Sequence, residues 1–166
     1  MLFRTSRDVR VKMLRDAKLL SGCSDAELRR LAAISTVIDV DGGRVVVEQG
    51  APGRDFFVIL DGRATVTLNG DQLAILGPGS FFGEMALLNA SSRVATVTSC
   101  GPMTLLALSQ REFATLLSSL PATVARRMLA GVTGRLREAD LRAAAVEAGG
   151  VRGKPVGVGA GSFPSF

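Results

Sequence analysis

The sequence predicts a mainly β domain with flanking helices, on three observations. Seven short β-rich runs follow one another between residues 36 and 108, with turn residues between them. Helical periodicity precedes these runs and returns after them. The 166 residues suffice for one buried core, and 47% hydrophobic with 21% charged residues is an ordinary globular composition. We therefore expect an antiparallel sandwich, jelly roll or closed barrel between helical ends.

Residues 1–20 are predicted to form a basic N-terminal helix. Four apolar residues recur there at helical spacing: Val9, Met13, Ala17 and Leu20. Ser21 and Gly22 end this pattern. Arg7, Arg10 and Lys18 lie off this apolar stripe, and such a stripe is typical of a helix that packs on a core.

A second, short helix is predicted to begin after Ser24. Ser24 is followed three positions later by Glu27, the spacing at which the two side chains satisfy each other's free backbone N–H groups at a helix start. Leu28, Leu31 and Ala32 then supply an apolar face. This pattern predicts a capped helix leading into the β region.

The predicted strands are short and separated by glycine, proline, asparagine or aspartate. They are Thr36–Val40, Val45–Glu48, Phe56–Leu60, Ala64–Leu68, Gln72–Leu76, Val94–Ser99 and Met103–Leu108. Within Ala64–Leu68, apolar residues alternate with threonines, which is typical of a half-buried strand. Asn69-Gly70 suits a type I′ hairpin, in which both central residues have positive φ.

Helical periodicity returns at Ser109. Ser109 and Glu112 repeat the capping-box spacing, and Pro121 stands where a further helix would begin and continue to Ala145. After Glu147 the sequence is rich in glycine, and we expect a disordered tail. The predicted organisation is therefore a basic helix at 1–20, a domain at 21–146 that includes C-terminal helices, and a tail at 147–166.

The composition excludes several classes of chemistry. The chain has no His, Trp or Tyr, which removes Ser–His and Cys–His nucleophiles and His-ligated metals. Cys23 and Cys100 are far apart and are expected to be reduced thiols, with no metal between them. We therefore predict that the protein is not an enzyme and holds no metal.

No targeting or membrane segment is predicted, so we expect a cytoplasmic protein. The N-terminus is interrupted by charges, unlike a secretory signal. The longest uncharged run of the body, Val94–Gln110, has 17 residues and is broken by Gly101-Pro102. A spanning helix needs about 20 apolar residues.

The net charge of +5 is distributed unevenly. Residues 1–20 carry +4, residues 126–166 carry +4, and the part between them carries −3. Basic ends can contact nucleic acid or an anionic membrane, and they can equally be the solvated faces of terminal helices. Both interpretations are open at this point.

Residues Gly77–Val97 contain the parts of an anion-binding site. Gly83 lets the backbone approach a ligand closely, and a helical turn beginning at Glu84 presents free N–H groups to negative charge. Arg93 offers a planar set of donors suited to phosphate. The Glu84 carboxylate can accept a hydrogen bond from a hydroxyl group. Such a site suits a ligand with both an anionic group and a sugar hydroxyl.

This segment resembles the phosphate-binding cassette of cyclic-nucleotide-binding domains, such as those of bacterial catabolite activator proteins and regulatory subunits of cAMP-dependent protein kinase. The matching residues are Phe82-Gly83-Glu84-Met85-Ala86-Leu87 and Ser92-Arg93-Val94-Ala95-Thr96-Val97. Ser92 stands where the family usually has proline. The resemblance implies an antiparallel β jelly-roll barrel with N-terminal helices, a short cassette helix and C-terminal helices.

The resemblance also implies roles for individual residues. Glu84 would accept a hydrogen bond from the ribose 2′-OH, and Arg93 would pair with the cyclic phosphate. Further members of the implied site are the amides of Met85, Ala86 and Val94 around the phosphate and, on the base side, Leu73, Ala74 and Leu76. Selective binders of cGMP carry threonine at the position of Val94, so the implied ligand is cAMP rather than cGMP.

The implied function is binding a cyclic nucleotide and signalling through rearranged terminal helices to a partner protein or within a homodimer. No helix-turn-helix is recognisable after the domain, which speaks against nucleic acid as the partner. Two alternatives remain: a DNA-associated regulator that uses its basic termini, and an interaction scaffold that binds no nucleotide.

Overall fold

A computed structural model describes residues 6–17, 20–84, 92–127 and 130 of the protein. The helices and strands in these ranges are, in chain order, α1 (Arg7–Asp16), α2 (Asp25–Ile34), β1 (Thr36–Val40), β2 (Val45–Val47), β3 (Asp55–Asp61), β4 (Ala64–Leu68), β5 (Asp71–Leu76), β6 (Phe81–Phe82), β7 (Thr96–Ser99), β8 (Met103–Ser109) and α3 (Gln110–Ser119). Residues 122–127 are also helical. The predicted class, mainly β with flanking helices, is confirmed.

The strands form two four-stranded antiparallel sheets. The first sheet has the order β1-β8-β3-β6, and the second has the order β2-β7-β4-β5. All seven predicted strands are present, and β6 is an eighth that pairs Phe82 with Phe57. The predicted barrel is not closed, because in the described ranges no edge strand of one sheet pairs with the other. Two of the edge strands, β2 and β6, are only three and two residues long.

The molecule has three layers: helices, the first sheet and the second sheet. In β3, Phe56, Val58 and Leu60 pack with the helices, whereas Phe57 and Ile59 pack against the second sheet. Both faces of the first sheet are therefore buried at β3. This explains why the β3 sequence is continuously apolar instead of alternating.

The second sheet is buried on one face only. Ala64 and Val66 of β4 point into the core between the sheets, and Ile75 of β5 is 59% exposed. The β4–β5 turn has the predicted conformation, with φ of 52° at Asn69 and 87° at Gly70. The predicted alternation and the predicted hairpin are thus confirmed.

Both predicted capping boxes are formed. The Ser24 hydroxyl accepts from the Glu27 N–H while the Glu27 carboxylate accepts from the Ser24 N–H, and Ser109 and Glu112 do the same at α3. Ser109 is also the last residue of β8, so the cap joins the first sheet directly to a helix. In α3, Phe113 and Leu116 face the core.

The prediction for the first helix is wrong in part. The helix ends at Asp16, because Ala17 has an extended backbone (ψ 116°). The apolar stripe of the sequence therefore does not lie along a single helix. Val11 and Leu14 take the buried positions of α1, and Val9, which the stripe placed inside, is 44% exposed.

The helical residues 122–127 follow Pro121 as predicted, and Val124 is fully buried in the core with the other helices. The predicted continuation to Ala145, the Gly-rich tail and most of the short cassette helix lie outside the described residues. None of the helices in the described ranges has the length and hydropathy that a membrane crossing needs.

Candidate functional site

The two ends of the predicted cassette come from different sheets. Gly83 and Glu84 directly follow β6 of the first sheet, and Arg93 lies three residues before β7 of the second. The Arg93 guanidinium crosses between them: its Nη1 donates to the Gly83 carbonyl oxygen over 3.0 Å. The structure thus brings together the two charged ends of the cassette at the seam of the sandwich.

Both charged side chains of the cassette are buried. Glu84 is 1% exposed and Arg93 is 7% exposed. Burying a charged group costs several kcal/mol unless it is paired or hydrogen-bonded, roughly as for other ions in protein interiors. Such a concentration of buried charge at the end of a sheet is typical of a functional site.

The electrostatic environment of Arg93 has two opposing parts. Burial lowers the pKa of the guanidinium below its ordinary value, and the nearby negative charge of Asp55 counteracts that shift. An arginine side chain nevertheless keeps its proton at physiological pH. Arg93 therefore supplies a fixed positive charge at this turn.

The loop between β2 and β3 holds the backbone of Arg93. The Arg93 N–H donates to the Ala51 carbonyl over 2.9 Å, and the Gly50 N–H donates to the Arg93 carbonyl over 2.8 Å. The Arg93 Cζ lies 6.0 Å from the centre of the Phe57 ring, within the range of a cation–π contact. The side chain is thus positioned by a loop distant in sequence.

The other residues predicted for the site are placed less closely around Arg93. Val94 is half-buried next to it in sequence. Leu73 and Ala74 are half-buried and pack on the core between the sheets, and Leu76 is 3% exposed inside that core. Met85 and Ala86 lie outside the described residues.

The sequence reasoning missed the part that the β2–β3 loop plays. Phe57 belongs to the predicted strand Phe56–Leu60, and nothing near it or near Ala51 in the sequence points to Arg93. Gly50 and Gly53 lie close together in this loop, but their spacing does not indicate which segment the loop approaches. The hydrogen bonds of the loop to Arg93 join residues that are far apart in the sequence.

The arrangement can bind an anionic ligand that also carries a hydroxyl group. Arg93 supplies a guanidinium, and Glu84 supplies a carboxylate directly after Gly83. Gly83 has a φ of 90°, a conformation that favours glycine, and it places its carbonyl against Arg93. Within the described part of the chain, no group of three or more Cys, Asp or Glu side chains could hold a metal ion.

Comparisons with known proteins identify the family of this chain. The family model for the cyclic nucleotide-binding domain matches residues 37–119, half of the chain. A cAMP-dependent protein kinase regulatory subunit from Mycosarcoma maydis is 33% identical over 124 residues, 69% of this chain and 24% of that protein. The cyclic AMP receptor protein of Thermus thermophilus is 36% identical over 104 residues, 60% of this chain and 48% of that protein.

A solved structure is similar over most of the described domain. The catabolite activator protein of Thermus thermophilus superposes with a TM-score of 0.66 and 30% identity, covering 78% of this chain and 62% of that one. The chain spans less than half the length of the two curated relatives. On the family match, the sandwich and the Glu84–Arg93 turn, the chain belongs to the cyclic nucleotide-binding domain family.

Proposed function

We propose that this chain binds cAMP in preference to cGMP, at the turn formed by Gly83, Glu84 and Arg93, and that it is a sensor rather than an enzyme. Glu84 accepts a hydrogen bond from the ribose 2′-OH, and Arg93 pairs with the cyclic phosphate. The names of the two curated relatives, which refer to cAMP, support this choice of ligand.

One observation carries the proposal. The buried guanidinium of Arg93 lies 3.0 Å from the carbonyl oxygen of Gly83, the residue directly before the buried Glu84. A positive and a negative group are therefore held at one turn by two different sheets. A nucleotide with a negative phosphodiester and a neighbouring ribose hydroxyl matches this pair in charge and in hydrogen-bonding character.

The preference for cAMP depends on Val94, which follows Arg93 and is half-buried. Valine has no hydroxyl to offer the amino group of guanine, so a guanine base loses a partner there. Adenine needs none. A polar group buried without a partner costs about 1–3 kcal/mol, which sets the expected size of the preference.

The proposed output is a rearrangement of the terminal helices towards a protein partner or a second copy. In the structure, Arg127 donates to the Ser21 carbonyl over 2.6 Å, and Val124 is buried in the same core as the N-terminal helices. The helical residues before and after the strands, within the described ranges, thus form one layer on the first sheet. A ligand that binds one arrangement of this layer better shifts the population towards it.

Thermal unfolding with added cyclic nucleotides tests the proposal. A ligand at a hundredfold excess over its Kd adds about 2.7 kcal/mol of stability, so cAMP should raise the midpoint more than cGMP does at equal concentration. Arg93→Ala should abolish the shift. The exposed Arg63 provides a matched control, and Arg63→Ala should keep it. An unchanged midpoint with both nucleotides would instead support the interaction scaffold.

A further inference from the structure

Gly53, in the loop between β2 and β3, lies directly against the guanidinium of Arg93. We propose that Gly53 is a positioning residue: the missing side chain there creates the space in which the guanidinium is aimed at the ligand phosphate. The inference deepens the proposed function and rests on it for the ligand, but its structural part can be tested without any ligand.

The distances at Gly53 leave no room for a side chain. A Cβ atom built on Gly53 would lie 1.9 Å from Nε, 2.3 Å from Cζ and 2.5 Å from Nη2 of Arg93. Real Cβ atoms essentially never come within 3.0 Å of another heavy atom of this kind. Even alanine at position 53 would therefore displace the guanidinium group.

Gly83 forms a second wall of this space, which we call the guanidinium slot. A Cβ atom on Gly83 would lie 2.7 Å from Nη1 of Arg93 and 2.7 Å from the carbonyl oxygen of Asp55. The ring of Phe57 lies beside the slot, and it stacks on Phe82 with 5.0 Å between ring centres. The slot is thus lined by backbone on two sides and by a fixed aromatic ring.

Gly53 differs from the glycines that are required for backbone conformation. Gly43, Gly50 and Gly70 have φ values of 75°, 82° and 87°, and a Cβ on any of them would meet no atom within 4 Å. At Gly53 the φ angle lies outside the left-handed region, but a Cβ atom would collide with Arg93. Its requirement is steric and concerns one side chain.

The contacts of the slot with the guanidinium explain why arginine suits this position. With Nη1 committed to Gly83, the guanidinium has further donors whose direction is fixed by the slot walls. Enlarging Gly53 would push the side chain out and remove both the Gly83 hydrogen bond and the fixed direction. The positive charge would remain nearby, but it would no longer present a preorganised fork to phosphate.

A stability cycle over four proteins tests the steric part: wild type, Gly53→Ala, Arg93→Ala and the double variant, each unfolded in urea. We expect Gly53→Ala to destabilise the wild type and to have no effect when Arg93 is already alanine. An equal loss in both backgrounds would overturn the proposal. If Gly53→Ala alone fails to fold, the double variant should fold; failure of both would contradict the inference equally.

The positioning role has a spectroscopic signature. In the ligand-free protein, the Nε–H signal of Arg93, assigned by its loss in Arg93→Ala, should exchange slowly with water. Gly53→Ala should shift this signal and speed its exchange. Gly101→Ala is the matched control, since a Cβ atom on Gly101 would meet no atom within 4 Å and Gly101 has no left-handed φ, and it should change neither. An unaltered signal in Gly53→Ala would overturn the proposal.

The ligand part is measured by cAMP titration. Gly53→Ala should weaken cAMP binding roughly tenfold or more, the loss expected when a charged hydrogen bond is misplaced, and Gly101→Ala should bind like the wild type. Unchanged affinity in Gly53→Ala would overturn the inference. If the wild type itself binds no cyclic nucleotide, the proposed ligand is wrong, and the stability cycle and the Nε–H signal still decide whether Gly53 positions Arg93.

Discussion

The two sheets of the sandwich differ in what covers them. The first sheet is enclosed between the helices and the second sheet, so that β3 and β8 are buried on both faces. The second sheet meets the first on one side and carries exposed residues such as Val45 and Ile75 on the other. The first sheet is thus the central layer of the fold, and the second closes the core.

The candidate site lies where these unlike sheets meet. Gly83 and Glu84 extend from β6 of the first sheet, and Arg93 leads into β7 of the second. A ligand that touches both residues would therefore contact the layer that supports the helices. In the proposed function, the first sheet is therefore the layer through which ligand binding would reach the helices, which do not themselves supply Arg93.

The largest predicted difference is in the stability lost when two isoleucines, one in each sheet, are replaced by alanine. Ile59 of β3 is 1% exposed, and Ile75 of β5 is 59% exposed. Ile59→Ala should lower the free energy of unfolding by about 2–5 kcal/mol, because it leaves a cavity between the sheets. Ile75→Ala should change it by less than about 0.5 kcal/mol. Urea denaturation measures both, and similar losses would contradict the difference in burial.

A smaller difference in stability is expected when the cap residues of two helices are replaced by alanine. Ser109 joins β8 of the first sheet to α3 through a complete, half-buried capping box, whereas the exposed Ser6 caps α1 with its hydroxyl alone, because Val9 at the third helical position has no carboxylate to complete a box. The two hydroxyl bonds are similar in length, 3.3 Å at Ser109 and 3.4 Å at Ser6. Ser109→Ala should cost about 1 kcal/mol of stability. Ser6→Ala should cost less than about 0.5 kcal/mol, because water can replace the lost bond at an exposed helix end. Equal effects in thermal unfolding would show that the attachment to the sheet adds nothing.

The smallest predicted effect is a pH dependence in the helical layer that covers the first sheet. Burial raises the pKa of the Cys23 thiol above its ordinary value of 9.0, the charge of Glu27 adds to the rise, and Arg127 opposes it. The folded state therefore favours the protonated thiol. Its contribution to stability is complete below about pH 9 and is lost as the pH rises through the folded pKa.

Stability measured from pH 8 to 11 should therefore fall less steeply in Cys23→Ser than in the wild type. Serine has no group that titrates in this range, which makes it the appropriate replacement. The same slope in both proteins would show that the folded state does not perturb the thiol.

Most of the fold was predictable because local signals agreed with the tertiary structure. The glycine turns bounded the strands, and the Ser24 and Ser109 caps marked helix starts that the structure confirms. The two-residue strand β6 was not predictable, since its pairing with β3 depends on distant residues. The Val9 stripe misled because periodicity alone does not show where a helix ends.

The charged residues of the site were predictable from the sequence, but the residues that hold Arg93 in place were not. Glu84 and Arg93 belong to a recognisable sequence pattern, and the structure buries both at one turn. Gly53 in the β2–β3 loop and Phe57 in β3 contact Arg93, and no local pattern connects either of these two positions to the distant position 93. Such contacts can be identified only from the three-dimensional arrangement of the two sheets.

Calorimetric titration of cAMP into the wild type, Arg93→Ala and Arg63→Ala is the decisive test of whether Arg93, at the seam between the sheets, binds the nucleotide. A guanidinium bonded to phosphate contributes about 1.5–3 kcal/mol per hydrogen bond, so Arg93→Ala should weaken binding at least about tenfold. The wild type and Arg63→Ala should bind with equal affinity at one site. If the wild type gave no binding heat with cAMP, or if Arg93→Ala bound cAMP as tightly as the wild type, the seam between the sheets would not be the nucleotide site.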